Sequence, residues 1–143
     1  MKATLPIPQE LTALIEAGFW PKDSNAAMGQ NLRSLVPESV VRAFAPEESA
    51  IFFYPPPFCL VRAQMEVGGH SFWSDPRSAV SEIDPDRTLI IGDFGPGSDA
   101  PIALDYRKNT SEPSVIRLKW AEKGNHWVQL SPSFAAFATS FGK

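Results

Sequence analysis

L-I-I-G-D-F-G-P-G-S-D-A-P-I-A-L-D-Y-R, residues 89–107, is the stretch on which the reading of the fold turns. Two apolar runs of strand length, 89–94 and 101–106, flank a loop that holds Gly95, Pro96, Gly97, Ser98 and Asp99. Gly95 and Gly97 can take the positive φ that a tight or bulged connection demands. Pro96 fixes one φ, and the Ser98 and Asp99 side chains can bond nearby backbone. The pattern predicts a β-hairpin closed by a rigid turn. No residue within it has to act as a catalyst, so the expected function lies in a shape offered to a partner.

Downstream, turn residues separate two further strand-like runs, 115–120 and 127–130. Val115, Arg117 and Lys119 alternate with Ile116, Leu118 and Trp120, and this period of two predicts the second set to be buried against helices. Ser131 or Ser133 can cap a last helix whose Phe134, Phe137, Ala138 and Phe141 form one apolar stripe, ended by Gly142. Upstream, residues 50–54 read as a first strand, stopped by Pro55, Pro56 and Pro57 because proline cannot donate to a ladder. Residues 58–67 carry Phe58, Leu60, Val61 and Met65 at helical spacing, with Gly68 and Gly69 as a stop.

Nearer the amino terminus, Pro8, then Leu11, Leu14 and Ile15, then Gly18 predict a short helix. Phe19 and Trp20 are expected to fold back beneath it. Residues 25–35 stay open between helix and loop, since Gly29 weakens an otherwise permissive run. Pro37, Glu38 and Ser39 open another helix through Val40, Val41 and Phe44, ended by Pro46. The sum is a single α+β domain: an antiparallel sheet of about five strands with flanking helices.

With 143 residues, the chain is long enough for one core. Its 43% hydrophobic and 20% charged residues argue for a packed domain. The 14 prolines imply stiff connections. A net charge of −3 gives no general attraction to phosphate backbones or anionic membranes, so neither nucleic acid nor membrane is an expected partner. Residues 1–9 hold no apolar run, and no stretch approaches the ~20 apolar residues of a membrane span, so a cytoplasmic protein is expected. The single cysteine, Cys59, excludes an internal disulfide.

Asp93, Phe94 and Gly95 spell a kinase magnesium motif, but the phosphate loop, paired lysine and catalytic loop of a kinase are missing. Gly95, Gly97 and Ser98 lack the lysine and following helix of a phosphate loop. His70 and His126 have too few companions for a metal site and read as surface or strand-edge residues. Cys59, beside Leu60 and Val61, reads as a buried thiol packing as a small hydrophobe. Asp93, Asp99 and Asp105 lie near one hairpin; the favoured reading has Asp99 capping the turn and Asp105 paired with Arg107, in place of a cation site. The cluster Tyr54, Pro56, Pro57 and Phe58, with Trp73 further on, is the candidate partner-binding surface, and no cofactor or metal is expected.

With these residues in view, the chain resembles the SUKH superfamily, which includes fungal regulators of cell-wall synthesis and bacterial toxin-immunity proteins. Ile91, Gly92, Asp93, Phe94, Gly95, Gly97, Ser98 and Asp99, then residues 101–107 with Asp105 and Tyr106, are similar to that family's central hairpin. Tyr54, Pro56, Pro57 and Phe58 resemble an element of a bacterial branch. Pro113, Ser114, Val115, Leu118, Trp120, Trp127, Ser133, Phe134 and Phe137 are similar to its closing strands and helix. The resemblance covers the chain from about Ala50 onward. It implies a domain without enzymatic activity that binds a protein, in bacteria often a cognate toxin, as a monomer or weak homodimer. Acidity would suit a basic toxin such as a nuclease through complementary fields. The rival is a small ligand-binding protein or hydrolase in which Asp93, Asp99, Asp105 and His70 converge on one pocket.

Overall fold

The computed structural model describes residues 5–67, 71–95 and 99–143. Gly68, Gly69, His70, Pro96, Gly97 and Ser98 lie outside the described residues, and the expectations attached to them go no further. Helices α1 (Gln9–Glu16), α2 (Ser24–Met28) and α3 (Glu38–Phe44) precede two short strands, β1 (Phe52–Phe53) and β2 (Cys59–Leu60). Helix α4 (Val61–Glu66) and a run of 3-10 turns lead into β3 (Thr88–Asp93), β4 (Pro101–Asp105), β5 (Ser114–Lys119) and β6 (His126–Ser131). Helix α5 (Phe134–Ser140) follows. All pairings are antiparallel in the order β1-β3-β4-β5-β6, and β2 joins the same side of β3 as β1. The chain is thus an α+β domain built on a six-stranded antiparallel sheet.

Every residue of β3 and β4 is buried, which is why this hairpin reads as continuous apolar runs and not as an alternation. Both faces of the sheet are covered. On one face Leu11, Val41, Phe134 and Phe137 from α1, α3 and α5 pack on Ile91, Ile102, Leu104 and Val115. On the other, Val61, Trp73 and Ile83 pack on Ile90, Ala103 and Ile116. Trp73 and Trp127 stack there with centroids 6.3 Å apart. Trp20 does fold back under α1, where it stacks on Phe53 at 4.0 Å. Ser133 is the residue that caps α5, its hydroxyl accepting from the Ala136 amide at 3.1 Å.

The doubly covered sheet overturns the expected facing of β5. Val115 and Arg117, not Ile116, lie on the helix side, opposite Leu104 and Ile102. Ile116 belongs to the tryptophan side. Arg117 is only 3% exposed; its guanidinium lies 5.3 Å from the Phe94 ring centroid and pairs with Glu47. Trp120 sits past the end of β5 and is 39% exposed. Cys59 is exposed, because residues 58–60 are extended and α4 starts only at Val61. Trp73, expected at a docking surface, is a core residue at 3% exposure. No helix among the described residues is long and apolar enough to cross a membrane.

Candidate functional site

The sheet edge formed by β1 and β2 has a gap in it. Phe53 pairs with Gly92 and Cys59 with Ile90, so the five residues 54–58 stand opposite the single residue Ile91. Three of the five are prolines, which have no N–H to give, and the segment is therefore thrown outward from the ladder. Its ends are fixed. The Tyr54 amide donates to the Ile91 carbonyl at 2.9 Å, and the Tyr54 carbonyl accepts from Trp20 Nε1 at 2.8 Å. Phe58 turns inward, edge-on to Trp20 at 6.5 Å, while Tyr54 and Pro57 stay exposed. Gly92 is required by the same arrangement: a Cβ there would meet the Phe52 carbonyl oxygen at 2.6 Å.

An apolar groove of about 540 Å³ borders this segment, lined by Ile7, Ile15, Pro56, Pro57, Leu60 and Leu89 among others. A smaller cavity of about 80 Å³ is lined by Tyr54, Phe72, Trp73, Asp93 and Asp99 among others. The exposed loop between the two therefore borders two concavities of different character. Residues 74–87, the connection that leads into β3, are built from 3-10 turns with Ser78 and Ile83 buried and Asp75 clasping Arg77 at 2.8 Å.

At the hairpin turn Asp93 bonds backbone on both sides of the loop, while the capping expected of Asp99 turns on residues 96–98, which lie outside the described residues. The Asp93 carboxylate accepts from the amides of Gly95 at 3.1 Å and Ala100 at 3.2 Å, while Asp99 adopts left-handed backbone with φ of 54°. Asp93 can make both bonds because it ends β3, opposite Pro101. Phe94 is buried against Phe44, with ring centroids 6.4 Å apart. Asp105 makes the expected pair, a two-point fork to Arg107 at 3.0 and 2.9 Å. The Tyr106 hydroxyl donates to the Pro6 carbonyl at 2.8 Å, and burial pushes that hydroxyl above its ordinary value.

The candidate residues thus fall into two groups. Tyr54, Asp93, Asp99 and Trp73 line one cavity, beside Pro56, Pro57 and Phe58. Asp105 pairs with Thr88 at the opposite end of the hairpin from Asp93, which pairs with Pro101. Four residues of strand separate the two carboxylates along β4, about 13 Å. The convergence that a three-aspartate site requires is not present. Among the described residues no three His, Cys, Asp or Glu side chains come together in a group able to hold a metal ion. His126 lies on the edge strand β6, exposed, its Nδ1 2.7 Å from the Glu82 carboxylate.

Two residues that no sequence motif singles out support the site. Gln30 is buried against β1, and Gln64 accepts from Trp73 Nε1 at 2.9 Å. Nothing in the local sequence marks Gln30, because it acts on Phe53 across 23 positions, and Gln64, nine positions from Trp73, belongs to no recognisable motif. No family model, no curated protein and no solved structure matches the chain.

Proposed function

We propose that the chain is a non-enzymatic protein-binding module of the SUKH type, an immunity protein of the bacterial cytoplasm that neutralises a cognate toxin by direct contact. One observation carries the reading: the stiff segment 54–58 is displayed from the sheet edge between an apolar groove and a small acidic cavity. An aromatic and apolar anchor surface beside charged groups is the composition of protein-binding hot spots. The proline-rich segment loses little freedom on docking, which lowers the ordering cost of association. The resemblance of residues 89–107 and of Tyr54, Pro56, Pro57 and Phe58 to the SUKH pattern supports the same reading. The net charge of −3 favours a basic partner, whose encounter it would accelerate.

The test is growth of cells that express the toxin-like products of the neighbouring genes one at a time, with and without this chain. Rescue from one such product, accompanied by a complex of the two purified proteins, is the expected result. If every neighbouring product is harmless or is left fully toxic, and none forms a complex, the immunity reading fails.

The groove also lies within the ~300–1,000 Å³ of small-molecule sites, which favours as second reading a protein that holds an apolar ligand. Displacement of an environment-sensitive apolar dye by fatty acids, lost in Leu60→Asp, would favour it over the first.

A further inference from the structure

The six-stranded sheet has two ends, and they are finished differently. At β1 the outward backbone groups of Phe53 are taken by the Gln30 side chain, and residues 54–58, with their three prolines, leave the ladder. At the other end lies β6, which pairs with β5 on one side and with no strand of the described residues on the other. Edge strands that stay single are commonly guarded by proline or by charged side chains. Strand β6 reads H-W-V-Q-L-S and holds no proline, lysine, arginine, aspartate or glutamate.

The pairing with β5 fixes which groups of β6 point away from the sheet. The Trp127 amide donates to the Glu82 carboxylate at 2.8 Å, so Trp127, opposite Leu118, has its backbone groups outward. Backbone groups alternate in direction along an antiparallel strand. Val128, opposite Arg117, therefore turns its N–H and C=O to β5, and Gln129, opposite Ile116, turns both of its own outward. The register shift of this pair comes only after Ile116, so the alternation is regular as far as Gln129. Gln129 is exposed, and among the described residues no group bonds its amide, its carbonyl or the Trp127 carbonyl. Beside them a cavity of about 360 Å³, lined in part by Trp127, Val128 and Gln129, leaves room for an approaching chain.

A row of alternating backbone donors and acceptors is completed by another strand. We propose that this strand is β6 of a second copy of the chain, antiparallel across a two-fold axis at Val128. In that register the Gln129 amide donates to the Trp127 carbonyl of the second copy, and symmetry repeats the bond. The other two bonds, from the Trp127 amides to the Gln129 carbonyls, form only where Glu82 yields its hold, which keeps the association weak and reversible. The two half-buried Val128 side chains meet on the helix side of the sheet, and on the other side Trp127 faces Gln129. No like charges stand opposite one another, as self-pairing in a chain of net charge −3 demands. Segment 54–58 lies at the far end of the strand order, so both copies keep it free.

Sedimentation equilibrium between about 10 µM and 1 mM tests the pairing, because self-association follows concentration. The mass should rise from 15.7 kDa towards twice that value. Gln129→Pro removes an N–H that β5 does not use, at an edge where proline is tolerated, and should weaken association at least about tenfold. Val128→Lys places like charges on the axis while its stem covers the same apolar surface, and should do the same. Circular dichroism shows that each variant is folded. A parent chain that stays monomeric throughout, or a folded variant of either kind that associates as tightly as the parent, overturns the inference and leaves the neighbouring-gene test untouched.

Discussion

Gln30 and Phe53 exchange two hydrogen bonds across 23 positions of sequence: Gln30 Nε2 donates to the Phe53 carbonyl at 2.9 Å, and the Phe53 amide donates to Gln30 Oε1 at 2.8 Å. The side-chain amide thereby imitates a neighbouring strand on the outer side of β1, where the sheet ends. The next residue along is Tyr54, so this mock pairing sets the base from which segment 54–58 leaves the edge.

Replacing Gln30 by leucine keeps the volume roughly constant but leaves a buried N–H and a buried C=O unpaired. At about 1–3 kcal/mol for each orphaned group, Gln30→Leu should cost about 3 kcal/mol. Urea unfolding at neutral pH measures it, as a lower midpoint with an unchanged slope. A loss below about 0.5 kcal/mol would mean that water replaces the glutamine at this edge.

At Gly92 the limit is space. Alanine is normally favoured over glycine within a strand, but here the added methyl meets backbone at 2.6 Å and forces β1 and β3 apart. Gly92→Ala should therefore destabilise by about 2 kcal/mol, the range of an overpacked core position. Guanidinium unfolding checks this, and an unchanged or raised midpoint would contradict the close approach.

Glu82 gives a pH dependence. Its carboxyl is held below the ordinary value of 4.5 by the hydrogen bond from His126 and then by the Trp127 amide. A carboxylate with a lowered folded-state value stabilises the fold above pH 4.5, and that contribution fades as pH falls from there through the lowered value. Glu82→Gln should lose stability at pH 7 and show a shallower decline than the parent protein between about pH 4.5 and pH 3. Thermal unfolding across that range compares the two curves, and parallel curves would contradict the assignment.

The parts of the fold legible in the sequence are those set by local patterns. Helix α1 lies between Pro8 and Gly18, α5 follows its Ser133 cap, and β3 and β4 flank one glycine-rich loop; each signal fits within about a dozen residues. Strand β2 was hidden because Cys59 and Leu60 sit in a run with helical spacing, and only β3, thirty positions away, makes them a strand. Arg117 misled for a related reason. A charged residue in an alternating strand reads as solvent-facing, but the helix layer covers that face, and Glu47 with the Phe94 ring accommodates the charge. Within the candidate site, Tyr54 and the prolines were legible as a rigid aromatic cluster. The cavity joining Tyr54 to Trp73 and Asp99 was not, since it depends on three loops that meet only in the folded chain.

The most direct test of docking through segment 54–58 is calorimetric titration of the purified neighbouring-gene product into the parent protein and into Tyr54→Ala/Pro57→Asp. The parent should bind with one-to-one stoichiometry, and the double substitution should weaken binding at least about 30-fold, the signature of a hot spot worth roughly 2 kcal/mol or more. Equal affinity for the two proteins, with both shown to be folded, would contradict the central claim.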